Sequence, residues 1–143
     1  MHKQKIWRIV EKHGVQSLMP TFIEVGKLPM KPPHLSAFQE AGPFIYLSGQ
    51  LAFNAAGEIC HPGVAEQTAQ ILSNIEGVLA KLGLSRTNIF KATVWLKPGS
   101  DFGAFNDSYA TFFGEHRPAR STVYSELALS AAVVEIEAIA YRA

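Results

Sequence analysis

The segment that most constrains this chain is Val134-Glu135-Ile136-Glu137-Ala138-Ile139-Ala140, a β-rich run in which two carboxylates alternate with apolar residues. Strand side chains alternate between faces, so Glu135 and Glu137 share one face while Val134, Ile136, Ala138 and Ala140 share the other. An unpaired charge in a dry core costs several kcal/mol or neutralises itself by a pKa shift. The run therefore belongs in a sheet with one dry face and one face where acids meet water, a cation or a ligand. Just upstream, Pro118-Ala119-Arg120-Ser121-Thr122-Val123 offers a basic candidate. Guanidinium is the side chain best shaped to hold a carboxylate through two parallel hydrogen bonds. Its carboxylate is either a ligand's or, within the sheet, that of Glu135 or Glu137.

The rest of the pattern says how that strand is covered. Val64, Thr68, Ile71, Leu72, Ile75, Val78, Leu79 and Leu82 recur at helical spacing, and Gly83 follows as a left-handed cap. Ser100 and Asp101 offer a second helix start, with Phe102, Phe105, Tyr109, Phe112 and Phe113 as its apolar stripe and Gly114 as its end. Phe44–Leu51 reads as a strand entered through Gly42-Pro43, with a turn over 54–57. Ile89–Leu96 reads as another, setting Phe90, Ala92, Val94 and Leu96 against a more polar Ile89, Lys91, Thr93 and Trp95. Strands over 120–123 and 133–141 close the chain. The order is two strands, helix, strand, helix, two strands, which predicts an α+β fold with two helices on one face of the sheet. The opposite face, carrying the glutamates with Trp95, Val133, Ile139 and Tyr141, is left for assembly. Ahead of this unit, residues 1–33 form an N-terminal extension. It comprises a short amphipathic helix over 3–13 ending at Gly14 and a proline-rich connector over 26–33; the main domain spans 34–143.

Composition narrows the function classes. A chain of 143 residues is one domain that buries about two thirds of its unfolded surface. A net charge of +1 gives no electrostatic case for nucleic acid, and Lys3, Lys5, Arg8 and Lys12 read as a solvated helix face. No run approaches the length of a membrane span, and no signal-peptide core is present. The lone Cys60 excludes an intramolecular disulfide, so a soluble cytoplasmic protein is expected. The five histidines show no metal-ligand spacing, and no phosphate loop, dinucleotide fingerprint or Ser-His-Asp order appears. Neither metal nor cofactor is expected.

Pro118-Ala119-Arg120-Ser121, with Arg120 placed 15 residues before Glu135, resembles the C-terminal signature of the RidA (YjgF) family. The resemblance extends through Leu47-Ser48-Gly49-Gln50, Ala92-Thr93-Val94-Trp95-Leu96, and Asp101-Phe102 to Asn106, Tyr109 and Phe112-Phe113, covering 42–142. It implies a chorismate-mutase-like protomer (bacillus type) in a homotrimer, with ligand clefts at the subunit interfaces. It also implies hydrolysis of reactive enamines and imines such as 2-aminoacrylate to 2-keto acids and ammonia. On the matching positions, Arg120 grips the substrate carboxylate and Glu135 orients or activates water. Ser48, Gly49, Asn106 and Thr122 line or support the cleft. The tyrosine that active relatives place there falls on Leu35, with His34 beside it as a candidate substitute. Glu137 reads as structural, pairing with a neighbour's arginine. Two other functions stay open: a non-catalytic protein that binds small carboxylic metabolites, and an endoribonuclease or translation inhibitor, against which the charge argues.

Overall fold

The computed structural model describes residues 33–143, so the expected helix over 3–13 and all of the connector but Pro33 lie outside the described residues. Strands β1 (Phe38–Ala41) and β2 (Phe44–Gln50) form a hairpin whose two-residue turn is Gly42-Pro43. Gly42 sits at φ +59°, a conformation that a side chain would strain, and the ring of Pro43 locks its own φ at the second turn position. Helix α1 (Val64–Lys81) follows, then β3 (Ile89–Leu96), α2 (Phe102–Phe113), β4 (Ala119–Tyr124) and β5 (Val134–Tyr141).

The strands lie in the order β1-β2-β5-β3-β4, with β5 central and antiparallel to both β2 and β3. Among the described strands only β3 and β4 run parallel, which requires a crossover, and α2 provides it. Strand β4 therefore ends up at one edge of the sheet, with α2 packed close to it.

Both helices cover the same face. Ile71, Leu72, Ile75 and Leu79 of α1 are buried against Ile45, Val94, Ile136 and Ala138 of the sheet. Each fully buried aliphatic side chain contributes about 1.5–3 kcal/mol, so this stripe, more than intrinsic propensity, holds the helix. Helix α1 ends as the glycine predicted: Gly83 at φ +71° lets Leu84 N–H reach Leu79 O and Gly83 N–H reach Ala80 O. Asp101 caps α2 by accepting from Ala104 N–H at 3.0 Å. The last strand is held in place by a residue in the first turn of α1. Fully buried Gln67 donates to His61 O and Ala131 O and accepts from Val133 N–H.

Among the described residues nothing covers the opposite face, which carries Glu135, Glu137, Ile139 and Trp95 with an aromatic group of Phe44, Tyr46, Phe90 and Tyr141. Two expectations need correction. Strict alternation put Phe90 with the core, but a register shift between Ile89 and Lys91 buries Ile89 and leaves Phe90 42% exposed. Val133 lies just before β5, where its backbone bonds to Gln67 and Lys97 turn its side chain against the core. Among the described residues, no helix is long and apolar enough to cross a membrane.

Candidate active site

Strand pairing decides which side chains can meet. Arg120 is opposite Ala92 and Thr122 opposite Val94, both of which point into the helix-covered core. Glu135 is opposite Trp95 and Glu137 opposite Thr93, on the uncovered side. Directly paired residues share a face. Arg120 and the two glutamates therefore project from opposite faces of one sheet, and the ion pair between them that the sequence left open does not form within the chain.

Arg120 is instead built onto α2. Its Nη2 donates to Asn106 Oδ1 at 2.8 Å, and its guanidinium carbon lies 4.7 Å from the centre of the Tyr109 ring and 5.0 Å from that of Phe105. Phe102 stands at 6.0 Å. Asp101 starts the helix so that Phe102, Phe105, Asn106 and Tyr109, spaced three and four apart, face one patch beside the edge strand. The rings fix the plane of the cation while leaving its charge uncancelled, because no carboxylate among the described residues pairs with it. Thr122, one step along the same face of β4, has a buried hydroxyl with no hydrogen-bond partner among these residues. The Tyr109 hydroxyl is likewise buried and unpaired, and burial pushes its pKa up to about 12 against the opposing pull of Arg120. Beside Arg120 opens a cavity of about 490 Å³ lined by Asn106, Tyr109, Phe113, His116, Arg117 and Arg120, among others.

Glu135 forms the other group. Its carboxylate lies over Gly49, so closely that a Cβ built at that position would stand 2.1 Å from Oε1. A side chain at Gly49 would therefore displace that carboxylate from its present place. Ser48 precedes it, with its hydroxyl donating to Ser36 O at 2.6 Å. Burial raises the pKa of Glu135 above the ordinary 4.5, and the Glu137 charge two residues away raises it further. The sequence sets burial beside Glu137, which raises that value, against Arg120, which would lower it; with Arg120 on the far face of the sheet, the upward causes act.

The structure thus sorts the sequence candidates into two sets: Arg120, Asn106 and Thr122 at the β4 edge, and Ser48, Gly49, Glu135 and Glu137 on the uncovered face. His34 joins neither; it is exposed ahead of β1 and makes no hydrogen bond or ion pair among the described residues, and Leu35 beside it is 55% exposed. Sequence reading placed Phe102, Phe105 and Tyr109 in a core stripe and passed over Arg117. Their signal was Asn106 among aromatics on a helix that leads directly to Arg120.

Comparison with known proteins points one way. The model of the family described as Endoribonuclease L-PSP matches residues 27–142. A RutC family protein of Pyrococcus horikoshii is 39% identical over 104 residues, covering 72% of this chain and 82% of that protein. A Bos taurus protein named 2-iminobutanoate/2-iminopropanoate deaminase is 37% identical over 127 residues, covering 88% of this chain and 93% of its own length. Among solved structures, yeast Mmf1 superposes with a TM-score of 0.73 at 30% identity, over 80% of this chain and 92% of that one. A YjgF family member from Neisseria meningitidis gives 0.69 at 28%, over 79% and 91%.

Proposed function

This chain belongs to the YjgF/RidA family, whose model bears the name Endoribonuclease L-PSP, and from that membership we propose that it hydrolyses small imines and enamines of 2-keto acids. The observation that carries the reading is an arginine held without a carboxylate partner on one face, with a raised-pKa glutamate on the other. Relatives named for 2-iminobutanoate and 2-iminopropanoate deamination support the substrate class. Since the two groups cannot meet in one chain, the cleft is completed by a second copy. One protomer gives Arg120, Asn106 and Thr122, and its neighbour gives Ser48, Gly49 and Glu135. The proposed assembly is the homotrimer implied by the sequence resemblance.

In this cleft Arg120 holds the substrate carboxylate. An enamine first takes a proton on carbon and gives one up from nitrogen to become the imine. Water then adds to the imine carbon while one of its protons passes through Glu135 to the imine nitrogen, giving a carbinolamine. The C–N bond breaks as the remaining hydroxyl proton passes by the same carboxylate to the leaving nitrogen and the C=O bond forms. The products are a 2-keto acid and ammonia. A glutamate whose pKa is raised suits both halves of that transfer better than one at 4.5. Positioning supplies much of the rate, because two reacting groups held together need no further encounter. The exposed Leu35 favours a second reading, a carboxylate-binding protein without turnover. A coupled assay decides between them, with a pyridoxal-phosphate dehydratase producing 2-aminoacrylate or 2-iminobutanoate in situ. Faster keto-acid release in the presence of this protein upholds hydrolysis, and an unchanged rate leaves the binding reading.

A further inference from the structure

Arg86 and Arg142 are each ion-paired to a glutamate, Glu76 and Glu40 respectively. Arg117 and Arg120 are paired with no carboxylate among the described residues, and both line the cavity beside α2. None of the residues lining it is acidic. Two like charges at one cavity repel unless an anion lies between or beside them. The unpaired, buried hydroxyl of Tyr109, a residue that is 93% buried, belongs to the same lining and adds an uncommitted donor. On one copy alone, before a neighbour completes it, the cavity measures about 490 Å³.

We propose that Arg117 is a specificity residue that binds a second acidic group, so that the preferred substrates are imines of dicarboxylic 2-keto acids. The proposal rests on the reading of Arg120 as the grip for the carboxylate next to the imine carbon. Arg117, three residues earlier and exposed at the cavity mouth, takes the distal carboxylate. Pro118 between them restricts the backbone that sets their separation. His116, also in the lining, is committed elsewhere through the contact of its Nε2 with the Ile89 carbonyl.

The test titrates the full chain calorimetrically with 2-oxoglutarate and with 2-oxobutanoate. It also measures turnover of the imines that an amino-acid oxidase releases from glutamate and from 2-aminobutyrate. The wild type is expected to bind 2-oxoglutarate at least tenfold more tightly than 2-oxobutanoate. In Arg117→Gln, an exposed change that leaves the core intact, that preference should fall to within twofold. Equal wild-type affinities, or a preference that survives in Arg117→Gln, would overturn the assignment. Binding of 2-oxobutanoate without any gain for the dicarboxylate removes the second anion site and leaves the hydrolase standing. Tight dicarboxylate binding without turnover of either imine does the reverse: it upholds the site and removes the hydrolase.

Discussion

The chemistry at single residues is set by which face each occupies. Arg120→Lys keeps the charge but loses the fork that matches a carboxylate and the flat surface that rests on Tyr109 and Phe105. Carboxylate affinity should fall by about 1.5–3 kcal/mol, the scale of a hydrogen bond to a charged group, read by calorimetry with 2-oxobutanoate. Unchanged affinity in the folded variant would make Arg120 structural. Glu135 makes a prediction about pH. A base works when ionised, so the rate should rise with pH through a pKa above 4.5, and Glu135→Gln should abolish that limb. Because Glu137 contributes to the upward shift, Glu137→Gln should move the limb to lower pH while turnover persists. For stability the sign is opposite to that of a salt-bridged acid. The folded chain holds the Glu135 proton more tightly than the unfolded chain, so this group's contribution is fully present below the unfolded pKa. It is lost as pH rises through the folded value. A limb that stays fixed in Glu137→Gln would show that the two carboxylates do not sense each other.

Among the elements, periodicity made the helices legible to within a residue or two, and glycines marked their ends, because 3.6-residue spacing and left-handed caps are local properties. The face of β5 was legible for the same reason. Two things were not, since both depend on pairing. The register shift at Ile89–Lys91 turns Phe90 outward without any glycine or proline to announce it. The separation of Arg120 from Glu135 follows from β4 pairing in parallel with β3, which a list of strands does not reveal. Gln67 is the clearest case of a residue whose role is invisible in sequence: a polar position in a helical stripe that fixes the segment leading into β5. Gln67→Ala leaves Val133 N–H and two carbonyls without their partner and opens space in the core. It should cost about 2–4 kcal/mol in chemical denaturation and, by loosening the entry to β5, reduce turnover through Glu135. Loss below about 1 kcal/mol would mean that water or a neighbouring group takes over those bonds.

At the scale of the molecule, the uncovered face and the divided site amount to one requirement. Tyr46, Phe90 and Tyr141 are each more than 40% exposed on a sheet face that continues into the half-buried Ile139 and Trp95, an area a monomer has little reason to keep apolar. If that face joins copies in a closed ring, light scattering should give about three times the 15.6 kDa chain mass, and Ile139→Asp should lower mass and turnover together. A sharper test does not depend on the interface being found. Arg120→Ala and Glu135→Gln should each be inactive as pure assemblies. In a ring that draws Arg120 from one copy and Glu135 from the next, a site works when the first copy is the glutamate variant and the second the arginine variant. Mixing the two in equal amounts, with exchange of copies, should therefore restore about a quarter of the sites. A site contained in one chain would regain nothing on mixing, since every chain would still lack one of its groups. Activity that stays at zero while mass measurements show that copies have exchanged would refute the shared cleft.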